Sequence, residues 1–232
     1  MGSFTVTTPG DGTFVAEATT VVFELWGGCG LPSLWAGGGG QGGASGGARQ
    51  LVTVTGLTVG QTYNYHVGDA GEDTWVINSS TGKAVCGSPA GGANRNSDRT
   101  GGIGGLAASC IGDAGQAFNG GSGGSGHATG RGGGGGSGAG SAADGQNGTN
   151  AGAGAAGVGG TAPTGGGSGG NGGGPGQNGA DGNAPGGGPG GGAATMVSGA
   201  TKGGKIIATW ADPGGSASRP RRQMRNRATS RA

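Results

Sequence analysis

Gly167-Ser168-Gly169-Gly170-Asn171-Gly172-Gly173-Gly174-Pro175-Gly176-Gln177-Asn178-Gly179-Ala180-Asp181-Gly182 is the stretch that decides how this chain folds. From Gly167 every third residue is glycine as far as Gly182; Pro185 breaks the phase, and Gly188 and Gly191 resume it. An extended left-handed helix of the polyproline type has three residues per turn, so one phase maps to one face. Glycine on that face admits a second backbone at close range. The surrounding run has the same character. Between positions 120 and 193, 37 of 74 residues are glycine, no Phe, Trp or Tyr occurs, and the large apolar side chains reduce to Val158. Side-chain burial cannot offset the entropy of ordering such a backbone. The run is therefore either a flexible coil, as its composition alone suggests, or a body in which backbone packs on backbone.

The flanks favour packing. Thr20-Val21-Val22-Phe23-Glu24-Leu25-Trp26 and Gln50-Leu51-Val52-Thr53-Val54 read as strands rich in β-branched and aromatic residues, and Lys205-Ile206-Ile207-Ala208-Thr209-Trp210 reads as another after the glycine. A linker needs no closing strand. Val21, Phe23 and Leu25 are expected on one face and Val22, Glu24 and Trp26 on the other. Thr13-Phe14-Val15 is expected to pair with or lie beside that strand, and Tyr63, Tyr65 and Val67 alternate with Asn64 and His66 in a further one. Pro9-Gly10-Asp11-Gly12 and Thr58-Val59-Gly60-Gln61 read as turns. No useful helical period appears. Within the glycine run the phase shifts, as at 125–130, and the chain holds only nine prolines, which disfavours a collagen triple helix. Short antiparallel segments lying side by side fit better, with Asn147-Gly148, Asn178-Gly179 and Asp181-Gly182 read as reversals.

Taken in order, Phe4-Thr5-Val6, Val21 to Gly28, a glycine block at 37–47, Gly60-Gln61-Thr62-Tyr63-Asn64-Tyr65-His66-Val67-Gly68 and Gly203-Gly204-Lys205-Ile206-Ile207-Ala208-Thr209-Trp210 resemble the glycine-rich domain of bacteriophage tail and fibre proteins, over roughly residues 1–212. The resemblance implies a small β base carrying a sandwich of polyglycine II helices, as in tip adhesins whose loops at the helix ends touch the host. No separate amino-terminal fibre-attachment domain is visible, which leaves a capsid decoration protein or a self-assembling filament subunit as the alternative role. The expected architecture is all-β: a base with the first glycine block over 1–118, a polyglycine II bundle over 119–203, a closing strand over 204–212 and a basic tail over 213–232. The expected setting is the virion.

Charge is scarce and uneven. Only 10% of residues are charged, against about 25% in an ordinary soluble domain. Six of the 13 basic residues, Arg219, Arg221, Arg222, Arg225, Arg227 and Arg231, fall in 219–232, which has no acid; the remaining seven bases face 11 acids. A basic arm of +6 on a body of −4 is suited to docking on an anionic partner. The expected partners are other virion proteins of tail or capsid, a host-surface receptor, and further copies of the chain in a homo-oligomer or larger assembly. Nucleic acid is the second reading for the tail, weakened by the absence of an aromatic residue to stack on bases. No signal peptide and no apolar run long enough for a membrane helix are visible, so no membrane insertion is expected.

Catalytic chemistry is thin. His66 and His127 have no nucleophile partner legible in sequence, and the many Gly-x-Gly-x-x-Gly matches arise from composition. Asp69, Glu72 and Asp73 lack the spacing of a calcium loop. No enzyme activity, cofactor or metal is expected. Cys29, Cys86 and Cys110 lack a metal-type spacing and read as small buried residues, with a single disulfide as the alternative. The partner-contact candidates are the side chains that reappear among the glycines: Trp35, Trp75, Arg95, Asn96 and Arg99, Trp and Arg being the residues that most often anchor interfaces. The competing reading has Trp35 and Trp75 filling the small core of the base.

Overall fold

Alternation of apolar residues builds two antiparallel sheets that face one another. The computed structural model describes residues 1–32, 38–82, 84–92, 99–112, 115–194 and 196–211. One sheet has the order β1-β9-β3-β4-β8, formed by Gly2–Val6, Lys205–Trp210, Thr20–Trp26, Arg49–Thr55 and Gln116–Phe118; the other has the order β2-β5-β6-β7, formed by Gly10–Val15, Thr62–Val67, Thr74–Asn78 and Ala84–Ser88. No α-helix occurs among the described residues; one 3₁₀ turn covers Ala107–Ser109. The all-β expectation holds.

The inward face of β3, Val21, Phe23 and Leu25, is buried as its alternation predicts, and β9 closes the sheet by pairing with both β1 and β3. Phe14, Phe23, Tyr63 and Trp210 form an aromatic centre, with Phe14 edge-on to Phe23 and Trp210 at 5.8 Å each. Burial of each such ring contributes about 1.5–3 kcal/mol. Trp210 is held by shape: its indole lies against Gly2, where a Cβ would fall 2.4 Å from Nε1.

Two local expectations are corrected. β2 does not pair with β3; it pairs with β5 in the opposite sheet, and Phe14 meets Phe23 across the core. Gly10 and Gly12 are strand residues rather than turn residues. Gly12 serves close approach, because a Cβ there would lie 2.2 Å from the Tyr65 hydroxyl oxygen. The turn expected at Thr58 to Gln61 is present, closed by the Gln61 N–H on the Thr58 carbonyl at 3.0 Å.

The glycine run is ordered as an array of short extended segments joined by backbone hydrogen bonds, and segment 132–139 is its centre. Successive residues donate in three directions. Gly132, Gly135 and Gly138 bond the carbonyls of Gly173, Gly170 and Gly167; Gly133, Gly136 and Ala139 those of Gln41, Ala44 and Gly47; Gly134 and Ser137 those of Thr149 and Gln146. Its own carbonyls receive from three further segments. Gly124 and Gly121 donate to Gly134 and Ser137, Gly157 and Gly160 to Gly132 and Gly135, and Gly191 and Gly188 to Gly133 and Gly136. One segment is thus enclosed by six others, each contact recurring every three residues. Residues 132–140, 39–48 and 186–193 are buried throughout. The segments 39–48 and 99–105 enter the array from between the base strands, so its members come from well before residue 119.

Sterics explain the composition. A Cβ at Gly134, Gly135 or Gly136 would lie 2.0, 2.1 or 2.0 Å from the carbonyl oxygens of Val158, Gly188 and Gly121. Within 120–193 left-handed backbone is confined to the turns, at Gly130, Gly165, Gly176 and Gly186. Pro175-Gly176, with Gly176 at φ 68° and the Gln177 N–H on the Gly174 carbonyl at 2.9 Å, is such a turn.

The Asn-Gly and Asp-Gly pairs are not reversals. Asp144, Asn147 and Asn150 lie within one segment, and their side-chain Oδ1 atoms accept the backbone N–H groups of Asn119, Ser122 and Ser125 at 2.8 Å each. The carbonyls of those three residues accept in return from Gly145, Gly148 and Ala151. Asn178 and Asp181 hold Val197 and Ala200 in the same manner at 3.3 and 2.8 Å. Asx residues favour turns because their side chains bond nearby backbone; here a neighbouring segment offers its N–H groups every third residue instead.

Candidate functional site

The array has two ends. Its base end meets the five-stranded sheet at Trp26 and Arg49. Trp26, on the face of β3 opposite the core, donates its indole N–H to the Ala139 carbonyl at 2.9 Å. Arg49, buried at the start of β4, bonds Glu24 through Nε at 2.8 Å and Nη2 at 2.5 Å, and the Ser141 carbonyl through Nη1 at 3.1 Å. Its guanidinium lies 5.3 Å from the Trp26 ring and 5.9 Å from the Phe118 ring. Both joint residues lie beside a glycine block, Trp26 before Gly27 and Arg49 after Gly47, and sequence reasoning gave neither a role.

Turns join the segments at both ends, and those at 127–130, 152–155 and 174–177 lie at the far end. The turn from His127 to Gly130 closes on itself: the Gly130 N–H donates to the His127 carbonyl, and His127 Nδ1 lies 2.9 Å from the Thr129 hydroxyl and accepts the Thr129 N–H at 3.2 Å. Arg131 donates to the Ala153 carbonyl of the next turn. Arg99 lies beside them: its carbonyl accepts the Gly126 N–H at 2.7 Å, and a Cβ at Gly39 would fall 2.5 Å from its Nε. Arg99, His127 and Arg131 therefore gather at the end where residues 38–40 enter the array. This arrangement presents cations and hydroxyls on a rigid support, which suits binding an anionic or polar surface.

Of the partner-contact candidates, Arg99 is at this far end and Trp75 is not. Trp75 lies on β6, on the outer face of the four-stranded sheet, half-buried and stacked on His66 with ring centres 5.5 Å apart and planes at 19°. Among the described residues the tryptophan in the core cluster is Trp210, not Trp75. Trp35, Arg95, Asn96 and the tail arginines Arg219, Arg221, Arg222, Arg225, Arg227 and Arg231 lie outside the described residues.

The three cysteines are free thiols. Burial pushes the Cys29 thiol up to about 11, partly offset by the Lys202 N–H that donates to its sulfur at 3.2 Å. Burial raises Cys86 further, and raises Cys110 to about 11. Such thiols are poor nucleophiles at neutral pH. Among the described residues no group of three or more His, Cys, Asp or Glu side chains converges as a metal site, and no helix is long and apolar enough to cross a membrane. Neither a scan against protein-family models nor a search of curated proteins returns a match.

Proposed function

We propose that this chain is a non-enzymatic structural protein of a phage-type virion, a tail-fibre or tip protein that presents loops to a host surface. The array is then a lattice of polyglycine II helices. The three-residue recurrence of hydrogen bonds along 132–139 supports that reading. At about 3.1 Å per residue, eight residues carry the far-end turns about 25 Å from the base. The observation that carries the proposal is that the interior of the array is glycine interrupted mainly by small side chains such as Ala44, Ser45, Ser137 and Ala139, with no room for a Cβ at Gly134, Gly135 or Gly136. Large side chains that could vary with the host are then excluded from the interior and left to the rim and the turns, and Arg99, His127 and Arg131 gather at one such end.

The test is binding of labelled purified protein to a panel of bacterial cells. Saturable binding to particular hosts, lost in a variant with Arg99→Ala and 93–98 replaced by a Gly/Ser linker while the melting temperature holds, is the expected result. Absence of binding across the panel, or binding indifferent to that replacement, overturns it.

The low charge and the +6 tail favour a second, architectural reading, in which the chain is a capsid decoration protein or filament subunit anchored to other virion proteins through residues 219–232. Deleting the tail then abolishes incorporation into particles, and normal incorporation without it removes this reading. Retention of the tail on nucleic acid, falling steeply with salt, marks the nucleic-acid alternative.

A further inference from the structure

The outer face of the four-stranded sheet carries a feature that neither the array nor the core requires. Antiparallel pairing lines up Asp11, His66 and Trp75 across β2, β5 and β6. His66 is fixed from both ring nitrogens, with Nδ1 2.8 Å from Asp11 Oδ1 and Nε2 3.3 Å from Glu72 Oε2. Glu72 is fixed in turn, its Oε2 accepting the Asp69 N–H at 3.1 Å. The imidazole held in this way stacks on Trp75. Two carboxylates and a turn thus set the orientation of one partly exposed indole, the kind of supporting shell that binding sites use to fix a contact residue.

Beside that indole runs a groove of about 510 Å³ lined by Asp11, Gly12, Thr13, Asn64, Tyr65 and Trp75. Gly12 supplies no side chain to obstruct it. Thr13, Asn64 and Asp11 stand along the groove with one hydroxyl, one amide and one carboxylate, and the Asp11 contact to His66 uses only Oδ1. Among the described residues no lysine or arginine lines it. An aromatic wall with a few placed donors and acceptors is the composition of a ligand site rather than of an ordinary sheet surface. The amide and hydroxyl both donate and accept, as a ring of vicinal hydroxyls requires. The carboxylate accepts from hydroxyls and repels anions.

We infer that this groove binds a neutral hexose unit, its apolar face against Trp75 and its hydroxyls on Asn64, Asp11 and Thr13. The site is separate from the far-end turns, so either can fail without the other. The test titrates the full chain with methyl hexosides, with a sialylated and a phosphorylated sugar as charged controls, read by tryptophan fluorescence and saturation-transfer NMR. One small sugar on so open a groove should bind at about millimolar concentration. The expected result is saturable binding of at least one neutral hexoside. It should weaken about tenfold or more in Asn64→Ala and in Trp75→Ala, and several-fold in His66→Ala, with the charged sugars weaker throughout. Asn64→Ala removes a partly exposed side chain, so its melting temperature should match the parent and separate lost binding from lost folding. No binding by any hexoside, binding unchanged in Asn64→Ala, or tighter binding of the charged sugars overturns the inference.

Discussion

At Gly136 the absent methyl group is the structural element. A Cβ there would stand 2.0 Å from the Gly121 carbonyl oxygen, on a backbone fixed from several sides. Gly154, in a far-end turn, has nothing within 4 Å of the same position. Gly136→Ala should therefore destabilise the fold by about 3 kcal/mol or more, the upper range for overpacking, whereas Gly154→Ala should leave it within about 0.5 kcal/mol. Thermal melts of the two variants check this, and equal effects would refute the steric account of the composition. The cysteines give a second residue-scale expectation. Cys29 and Cys110 have folded pKa values of about 11 against an ordinary 9.0. Each raised value favours the protonated thiol in the fold, so its contribution is complete below pH 9 and is lost as pH rises through about 11. Urea midpoints should fall between pH 9 and 11, less steeply in Cys29→Ala, and native protein at pH 7.5 should react slowly with a thiol reagent.

Between segments, stability rests on acceptors placed every third residue. Asn147→Ala strands the Ser122 N–H that now bonds Asn147 Oδ1 at 2.8 Å, a loss of about 1–2 kcal/mol. Asn147→Asp keeps an acceptor at that place and should cost much less, a contrast that denaturant midpoints resolve. At the joint, Glu24→Ala leaves Arg49 buried without its carboxylate, which should cost about 3–5 kcal/mol. What the sequence disclosed follows the same physics. β3, β4, β5 and β9 were legible because β-branched and aromatic residues alternate, and the array because Gly167, Gly170 and Gly173 share the phase that bonds Pro185, Gly188 and Gly191. Asn147 and Asn178 were misread because a local rule for turns cannot register a partner 25 or 19 residues away. The role of Arg49 was hidden for the same reason: its partners Glu24, Phe118 and Ser141 meet only in three dimensions. The candidate site was half legible. Trp75 and Arg99 stood out as large side chains, yet they occupy different surfaces.

Across the whole molecule, two cores of different kind share one chain. The sandwich is held by Phe14, Phe23, Tyr63 and Trp210; the array is held by amides, with Trp26 and Arg49 joining the two. The second core is made chiefly of backbone packed on backbone, and amide hydrogen exchange probes it residue by residue. Gly133 to Gly138, enclosed by six segments, should exchange at least about 10³-fold more slowly than an unstructured chain, comparably with β3 and β9. The amide of Gly154, in a far-end turn, should exchange fast. Fast exchange throughout 120–192, with protection confined to the sandwich, would contradict a core built of backbone.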